Sequence, residues 1–319
     1  MIFFKEFNIT DTWIISDGTA GMEKQSIALA ILLKKNYEII KINPPYLLKL
    51  IPILGKFCFS GISQKLINNK KIPNYVITCG KRMAGLSILL KSTLKDKIKT
   101  IHIQNPRLPS NFFDLVIIPE HDKVKGLNII QTKGALSFFS YSQLKNDYGY
   151  LKKNNTNIVL LMVGGKNKRY TPQSIDYLNL SLKVIEAIKK INAKLLVSVS
   201  RRTSKKAMRI LDESFSKNLK NYQMLSVSDK NPYPDILKIS DYIIVTSDSV
   251  NMISETASLS VPLFVYNFPK ESGKITIFLN DLENLGIIKF FQNSIFKYKK
   301  QKLKTNKITI SKVNKFLGI

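Results

Sequence analysis

Short apolar runs alternate with longer stretches of mixed polarity along this chain, and that alternation predicts βα units assembled into parallel sheets. In the first half, strands are expected at Thr12–Ser16, Glu38–Ile42, Tyr75–Thr78, Thr100–Ile103, Leu115–Ile118 and Asn128–Gln131, with helices at Gln25–Lys35 and Met83–Ser92. Residues 140–157, SYSQLKNDYGYLKKNNTN, are polar and lack sustained apolar periodicity, which suits a linker. The pattern then restarts with a strand in NIVLLMVGG (157–165). A helix is expected at Gln173–Ile191, where Ile175, Leu178, Leu182, Ile185 and Ile188 recur three or four apart, followed by a strand at Lys194–Val199 and a late helix at Lys274–Leu285. Both halves open strand, glycine loop, helix. The expected fold class is therefore α/β, with two Rossmann-like domains facing each other across a cleft. Their expected bounds are 1–150 and 151–290, with a Lys-rich tail, 291–319, packing back on the N-terminal domain.

Composition sharpens this picture only in places. The chain has 319 residues, enough for two cores, and 44% hydrophobic content marks it as globular. Fifty basic against 22 acidic residues give a formal charge of +28, which invites a nucleic-acid or anionic-membrane reading. Only six of the fifty are Arg, and the chain is rich in Ile and Asn, as a low-GC coding sequence would produce. Specific phosphate readers favour the planar fork of Arg, so no specific nucleic-acid partner is expected, while peripheral contact with an anionic membrane stays open. Cys58 and Cys79 have no paired spacing, which argues against a disulfide framework or a zinc site. The opening MIFFKEFNITD has an acidic residue and no long apolar core, so no signal peptide is expected. The most apolar segment, PPYLLKLIPILGKFCFSGI (44–62), is broken by Lys49, Pro52 and Lys56 and is too interrupted to span a bilayer. Packing into the core is the preferred reading for it over lying on a membrane. The expected location is cytoplasmic, with a peripheral association with the inner membrane open.

In open α/β sheets, ligands bind beyond the carboxyl ends of the strands, and four such ends are unusually polar or glycine-rich. SDGTAGMEKQS (16–26) offers Gly18 and Gly21 for a tight turn ahead of a helix expected from about Gln25, but it is neither a Walker motif nor a dinucleotide fingerprint. VGGKNKRY (163–170) sets Gly164 and Gly165 beside Lys166, Lys168 and Arg169, a pattern that suits a diphosphate as well as a solvated turn. VSVSRRTS places Ser200, Arg201 and Arg202 at a strand end and takes two of the six arginines. The fourth end is TSDSVNMISE (246–255). Here Asp248 or Glu255 can accept both hydroxyls of a ribose, and Ser247, Ser249 and the backbone near Asn251 can hold phosphate. The competing reading makes Asp248 or Ser249 a helix cap, and for Asp248 the cap is preferred. His102 falls inside an apolar strand pattern and reads as packed, whereas Glu120-His121-Asp122 follows a strand and is better placed for acid–base work. There is no Asp-x-Asp pair of the kind that holds a divalent ion on a nucleotide sugar.

Taken together, these stretches resemble the mitochondrial-fission "elongated mitochondria" proteins of plants and their bacterial relatives. The resemblance is carried by SDGTAGMEKQSIALA, QNPRLPSNFFDLVIIPEHD, QTKGAL, VGGKNKRY, SVSRRT, NPYPDILKISDYIIVTSDSVNMISETA and the SGK at 272–274, in order over nearly the whole chain. Met22 stands where family members often have His or Asn, and Thr256 where Ala is more usual. The family is similar to GT-B glycosyltransferases, whose C-terminal domain holds a nucleotide-diphosphate sugar without a bound metal. The resemblance implies Glu255 at the ribose; Gly164, Gly165, Ser200, Arg201, Ser247 and Ser249 near base or diphosphate; and Gly18 and Gly21 on the other domain. Arg107, Arg169 and Asn251 join them as substrate-binding candidates, and Glu23, Asp17 and His121 are candidate bases. The expected activity is a metal-independent, cofactor-free sugar transfer from a nucleotide-sugar donor to a cell-envelope acceptor. The alternatives are a non-catalytic fission-type adaptor, as the plant relatives are described, and a nucleotide-sugar epimerase.

Overall fold

The computed structural model describes residues 10–137, 149–152, 156–167, 170–225, 233–269 and 273–318. The chain divides into two units, one of Met1–Phe138 with Lys304–Ile319 and one of Phe139–Leu303.

Unit 1 runs β1 (Thr12–Ser16), α1 (Ala20–Leu32), β2 (Tyr37–Lys41), α2 (Gly55–Cys58), α3 (Ser60–Asn69), β3 (Tyr75–Cys79), α4 (Lys81–Leu94), β4 (Lys99–Ile103), β5 (Leu115–Pro119) and β6 (Ile129–Thr132). Its six parallel strands are ordered β2-β1-β3-β4-β5-β6. Side chains alternate across a strand, so β1 feeds two cores at once. Trp13 and Ile15 pack with Leu48, Phe59 and Met83 on one face, while Ile14 packs with Leu29 and Ile101 on the other. Burial on both faces explains why these strands read as continuous apolar runs.

Unit 2 runs β7 (Ile158–Val163), α5 (Ser174–Ile191), β8 (Lys194–Val199), α6 (Lys205–Asn218), β9 (Tyr222–Met224), α7 (Tyr233–Ile239), β10 (Tyr242–Thr246), α8 (Val250–Ala257), β11 (Leu263–Tyr266), α9 (Lys274–Asn284) and β12 (Lys289–Phe290). A final helix, α10 (Thr305–Leu317), returns the chain to unit 1. The second sheet is again parallel, in the order β12-β11-β10-β7-β8-β9. Counted from β7, this is the Rossmann strand order, and it reverses between β7 and β10. Ile158, Leu160 and Met162 face α7, α8 and α9, and Val159, Leu161 and Val163 face α5 and α6.

Three expectations need correction. Helix α1 starts at Ala20, five residues before Gln25, because Gly18 at φ +75° completes the turn within the preceding residues. Ser16 Oγ accepts the Gly18 N–H at 3.0 Å and Asp17 Oδ1 the Thr19 N–H at 2.9 Å, so the turn closes locally. Helix α5 buries Tyr177, Leu180, Val184 and Ile188, while Ile175, Leu178 and Leu182 are exposed. Its apolar stripe is thus rotated, because Tyr177 and Ala187 complete a face that Ile/Leu spacing alone did not mark. Segment 44–62 is divided: Leu48, Pro52 and Phe59 are buried, but Tyr46, Leu50 and Phe57 are exposed. The linker expected at 140–157 lies mostly outside the described residues.

Candidate functional site

The switch point of unit 2 brings three polar strand ends side by side. Strands β10, β7 and β8 are neighbours and parallel, so Thr246–Ser249, Gly164–Gly165 and Ser200–Thr203 leave the same edge of one sheet. Ligand crevices of open α/β sheets form at such a reversal.

The three ends are tied together by a buried network. Gly164 N–H donates to Thr246 Oγ1 at 2.8 Å, and that hydroxyl donates to Asp248 Oδ1 at 2.6 Å. Asp248 Oδ2 accepts from Gly165 N–H at 3.0 Å and from Arg202 Nη2 at 2.6 Å. Arg202 Nη1 also reaches the carbonyls of Gly165 and Lys166 at 3.2 and 3.1 Å. Thr203 Oγ1 donates to the Gly164 carbonyl at 2.6 Å. The glycines are steric necessities here. A Cβ on Gly164 would meet Asp248 Oδ2 at 2.0 Å, and one on Gly165 would meet the Arg202 carbonyl oxygen at 2.1 Å.

Several sequence-assigned roles change in this light. Asp248 is no helix cap: Ser249 caps α8, its hydroxyl accepting the Met252 N–H at 3.4 Å. Ser247 is fully buried and its hydroxyl accepts the Phe268 N–H at 3.1 Å, tying the end of β10 to the chain after β11. Both arginines of the pair are exposed, but Arg202 reaches back to Asp248 and the Gly165 and Lys166 carbonyls and acts as the clamp. Ser200 is half-buried, with its hydroxyl accepting the Arg202 N–H at 3.1 Å. Asn251 lies in the first turn of α8, and Glu255 is buried farther along the same helix. Arg169 lies outside the described residues. Thr203, Thr246 and Arg202 carry much of the network; the sequence marked the arginine pair but gave Thr203 and Thr246 no role, and the signal for Thr203 was its place three residues beyond Ser200 at a strand end.

Helix α8 is held at its far end too. Lys300 Nζ donates to the carbonyls of Ala257 and Leu259 at 2.8 and 2.5 Å, and Leu303 N–H donates to Ala257 at 3.0 Å. Burial, with Lys302 nearby, pushes the Lys300 amine down to about 7.

In unit 1 the reversal lies between β1 and β3, where Asp17 meets Arg82 at 2.5 Å. Burial alone would raise the Asp17 carboxyl, but hydrogen bonds from Thr19 and the Arg82 guanidinium prevail and hold it below its usual range. Asp17 is thus an anchored anion, poorly suited to accept a proton. Gly18 is exposed, while Gly21 and Glu23 lie within α1, not in the loop before it; Glu23 Oε2 is buried with no hydrogen-bond partner. His121 is half-buried in a 3-10 turn, Glu120–Asp122, after β5. Arg107 is exposed with φ +60°, its N–H held by Asn105 Oδ1 at 2.9 Å. His102 is packed: burial pushes its imidazole down to about 3, and Thr78 Oγ1 lies 2.8 Å from Nδ1.

Comparison with known proteins agrees with this architecture. A solved UDP-GlcNAc 2-epimerase from Neisseria meningitidis, bound to UDP-GlcNAc, is similar with a TM-score of 0.53 and 14% identity, covering 95% of this chain and 99% of that one. MurG of Acinetobacter baumannii gives a TM-score of 0.55 at 14% identity, with the same coverage. At this identity the likeness establishes the fold alone, a GT-B type. Among sequences, the protein RP120 of Rickettsia prowazekii is 30% identical over 327 residues, covering 89% of this chain and 91% of the relative. The mitochondrial fission protein ELM1 of Arabidopsis thaliana is 25% identical over 251 residues, covering 69% of this chain and 57% of the plant protein. The family described as Mitochondrial fission ELM1 matches residues 20–315, nearly the full length, and the chain belongs to that family.

Proposed function

We propose that unit 2 binds a nucleotide-diphosphate sugar at the β10–β7–β8 edge and that the protein is a GT-B glycosyltransferase acting on a cell-envelope acceptor. The observation that carries this reading is the meeting of three polar strand ends at the reversal of strand order, beside the N-terminus of α8. Glu255 accepts the ribose hydroxyls. The Lys166 N–H, Ser200, Arg201 and the first turn of α8, with Asn251, meet base and diphosphate, while the Gly165 backbone is already held by Asp248 and Arg202. The leaving diphosphate is stabilised by the α8 dipole and Arg201 without a metal ion. An inverting transfer needs a base for the acceptor hydroxyl, and Glu23 or His121 is proposed for it, since Asp17 is already paired with Arg82.

Thermal-shift measurements against UDP-, GDP-, CMP- and ADP-sugars test the reading. One class of donor is expected to stabilise the protein by about 2.7 kcal/mol at a hundredfold excess over Kd, and Glu255→Ala to abolish the effect. A flat response across the panel ends the enzyme readings. Product stereochemistry then separates transfer from epimerisation. One observation favours the adaptor reading: Gly164, Gly165, Arg202 and Asp248 satisfy one another and need no ligand to account for them. An adaptor predicts a protein partner whose capture survives Glu255→Ala.

A further inference from the structure

We propose that residues 46–57 of unit 1, between β2 and α3, form a docking surface for anionic phospholipid bilayers. Prolines at 44, 45 and 52 prevent a single long helix, and the segment folds as short turns, Tyr46–Lys49, Pro52–Leu54 and α2. Its inner side is fixed. Leu48, Pro52, Gly55 and Phe59 are buried, and a Cβ on Gly85 of α4 would meet the Gly55 Cα at 2.5 Å. Its outer side is apolar: Tyr46 is 70% exposed, Leu50 70% and Phe57 75%, with Leu47 and Ile51 also exposed. Single exposed hydrophobics are ordinary, but five large ones within twelve residues are not.

The charge around this patch identifies its occupant. From Ile39 to Lys95 the chain carries no acidic residue, while Lys49 and Lys56 are interleaved with the apolar positions. The Lys49 ammonium lies 4.8 Å from the Tyr46 ring and that of Lys56 lies 5.3 Å from the Phe112 ring. The lysine stems thus follow the apolar surface and present their charge at its rim. Aromatic and aliphatic tips rimmed by lysine match the headgroup–acyl boundary of an anionic leaflet. A second copy of the chain fits poorly, because a two-fold pairing through this patch would bring Lys49 and Lys56 towards their own copies. No described helix is long and apolar enough to cross a bilayer, so the contact is with its surface. The surface is independent of the nucleotide-sugar reading.

Co-sedimentation of the full chain with vesicles of phosphatidylcholine alone, or mixed with phosphatidylglycerol, tests the proposal. Partition onto the mixed vesicles is expected, weakening with salt. Leu50→Glu with Phe57→Glu should reduce it at least about tenfold, and Lys49→Glu with Lys56→Glu about fivefold for each lysine. All four positions lie outside the core, so the melting curves of both variants should match the parent. Absence of binding to phosphatidylglycerol vesicles overturns the proposal. So does equal binding by both variants, which would trace adsorption to overall charge. Loss of a dimer in the Leu50→Glu/Phe57→Glu variant, with vesicle binding unchanged, would assign the patch to self-association instead.

Discussion

Asp248 accepts three hydrogen bonds with a side chain sealed from solvent, and those bonds hold the end of β10 to the glycine loop after β7 and to Arg202 after β8. Replacing it with Ala leaves the Gly165 N–H buried without an acceptor and the Arg202 guanidinium without its anion. Arg202 is partly exposed and can rehydrate, which discounts the ionic share of the loss. A buried unsatisfied donor and one lost charged bond give a destabilisation of about 2–3 kcal/mol for Asp248→Ala. Arg201→Ala, at an exposed position, should change stability by no more than about 0.5 kcal/mol while weakening any diphosphate ligand. Urea denaturation of the two variants checks the contrast; equal stabilities would show that the network does not hold the loop. Two adjacent arginines, identical as sequence signals, thus do different work, and the difference lies in which one reaches back across β7.

At the scale of elements, the position of Glu255 depends on how α8 is fixed at both ends. Ser249 caps its start, and Lys300 binds the carbonyls of its last residue, Ala257, and of Leu259 just beyond. The Lys300 amine is held near 7 in the fold, well below the ordinary lysine value of 10.5. Between those values the unfolded chain binds more protons than the folded one, so stability rises with pH across that interval. Comparing the protein with Lys300→Met by calorimetry from pH 7 to 10, the stability difference should shift steadily in favour of the parent. A difference independent of pH would place a charged, well-solvated amine at the helix end. None of this was legible in the sequence, because Lys300 is one of 44 lysines and its partners lie more than forty residues away. Strands were legible because burial on both faces leaves an uninterrupted apolar run. The start of α1 was not, since Gly18 and the Ser16 and Asp17 side chains turn the chain within a stretch that reads as polar loop. In the same way, the glycine pair at 164 was visible, but its cause, close approach of Asp248 and Arg202, belongs to strand neighbours far apart in sequence.

At the scale of the whole molecule, the chain begins and ends in unit 1, with unit 2 inserted between Phe138 and Lys304. Helix α10 is therefore the last piece of a fold whose other parts precede it by the whole length of unit 2, with Asn306 contacting Ser137 across 169 residues. It buries Thr305, Thr309 and Val313, and Ile310 and Leu317 pack on the cluster containing Ile14, Leu29, Ile77 and Ile101. Asn306 Oδ1 accepts the Ser137 N–H at 3.3 Å, and the Thr305 hydroxyl donates to the Lys133 carbonyl. Deleting residues 304–319 uncovers this face of α1 and β6. One fully buried Val and two partly buried aliphatic side chains amount to about 3–5 kcal/mol, an upper value because unfolded chains already bury part of that surface. The single tryptophan, Trp13, is buried in β1 and reports on unit 1. Its fluorescence transition in urea should move to lower denaturant by an amount matching that loss. An unmoved Trp13 transition would mean that α10 lies on unit 1 without supporting it.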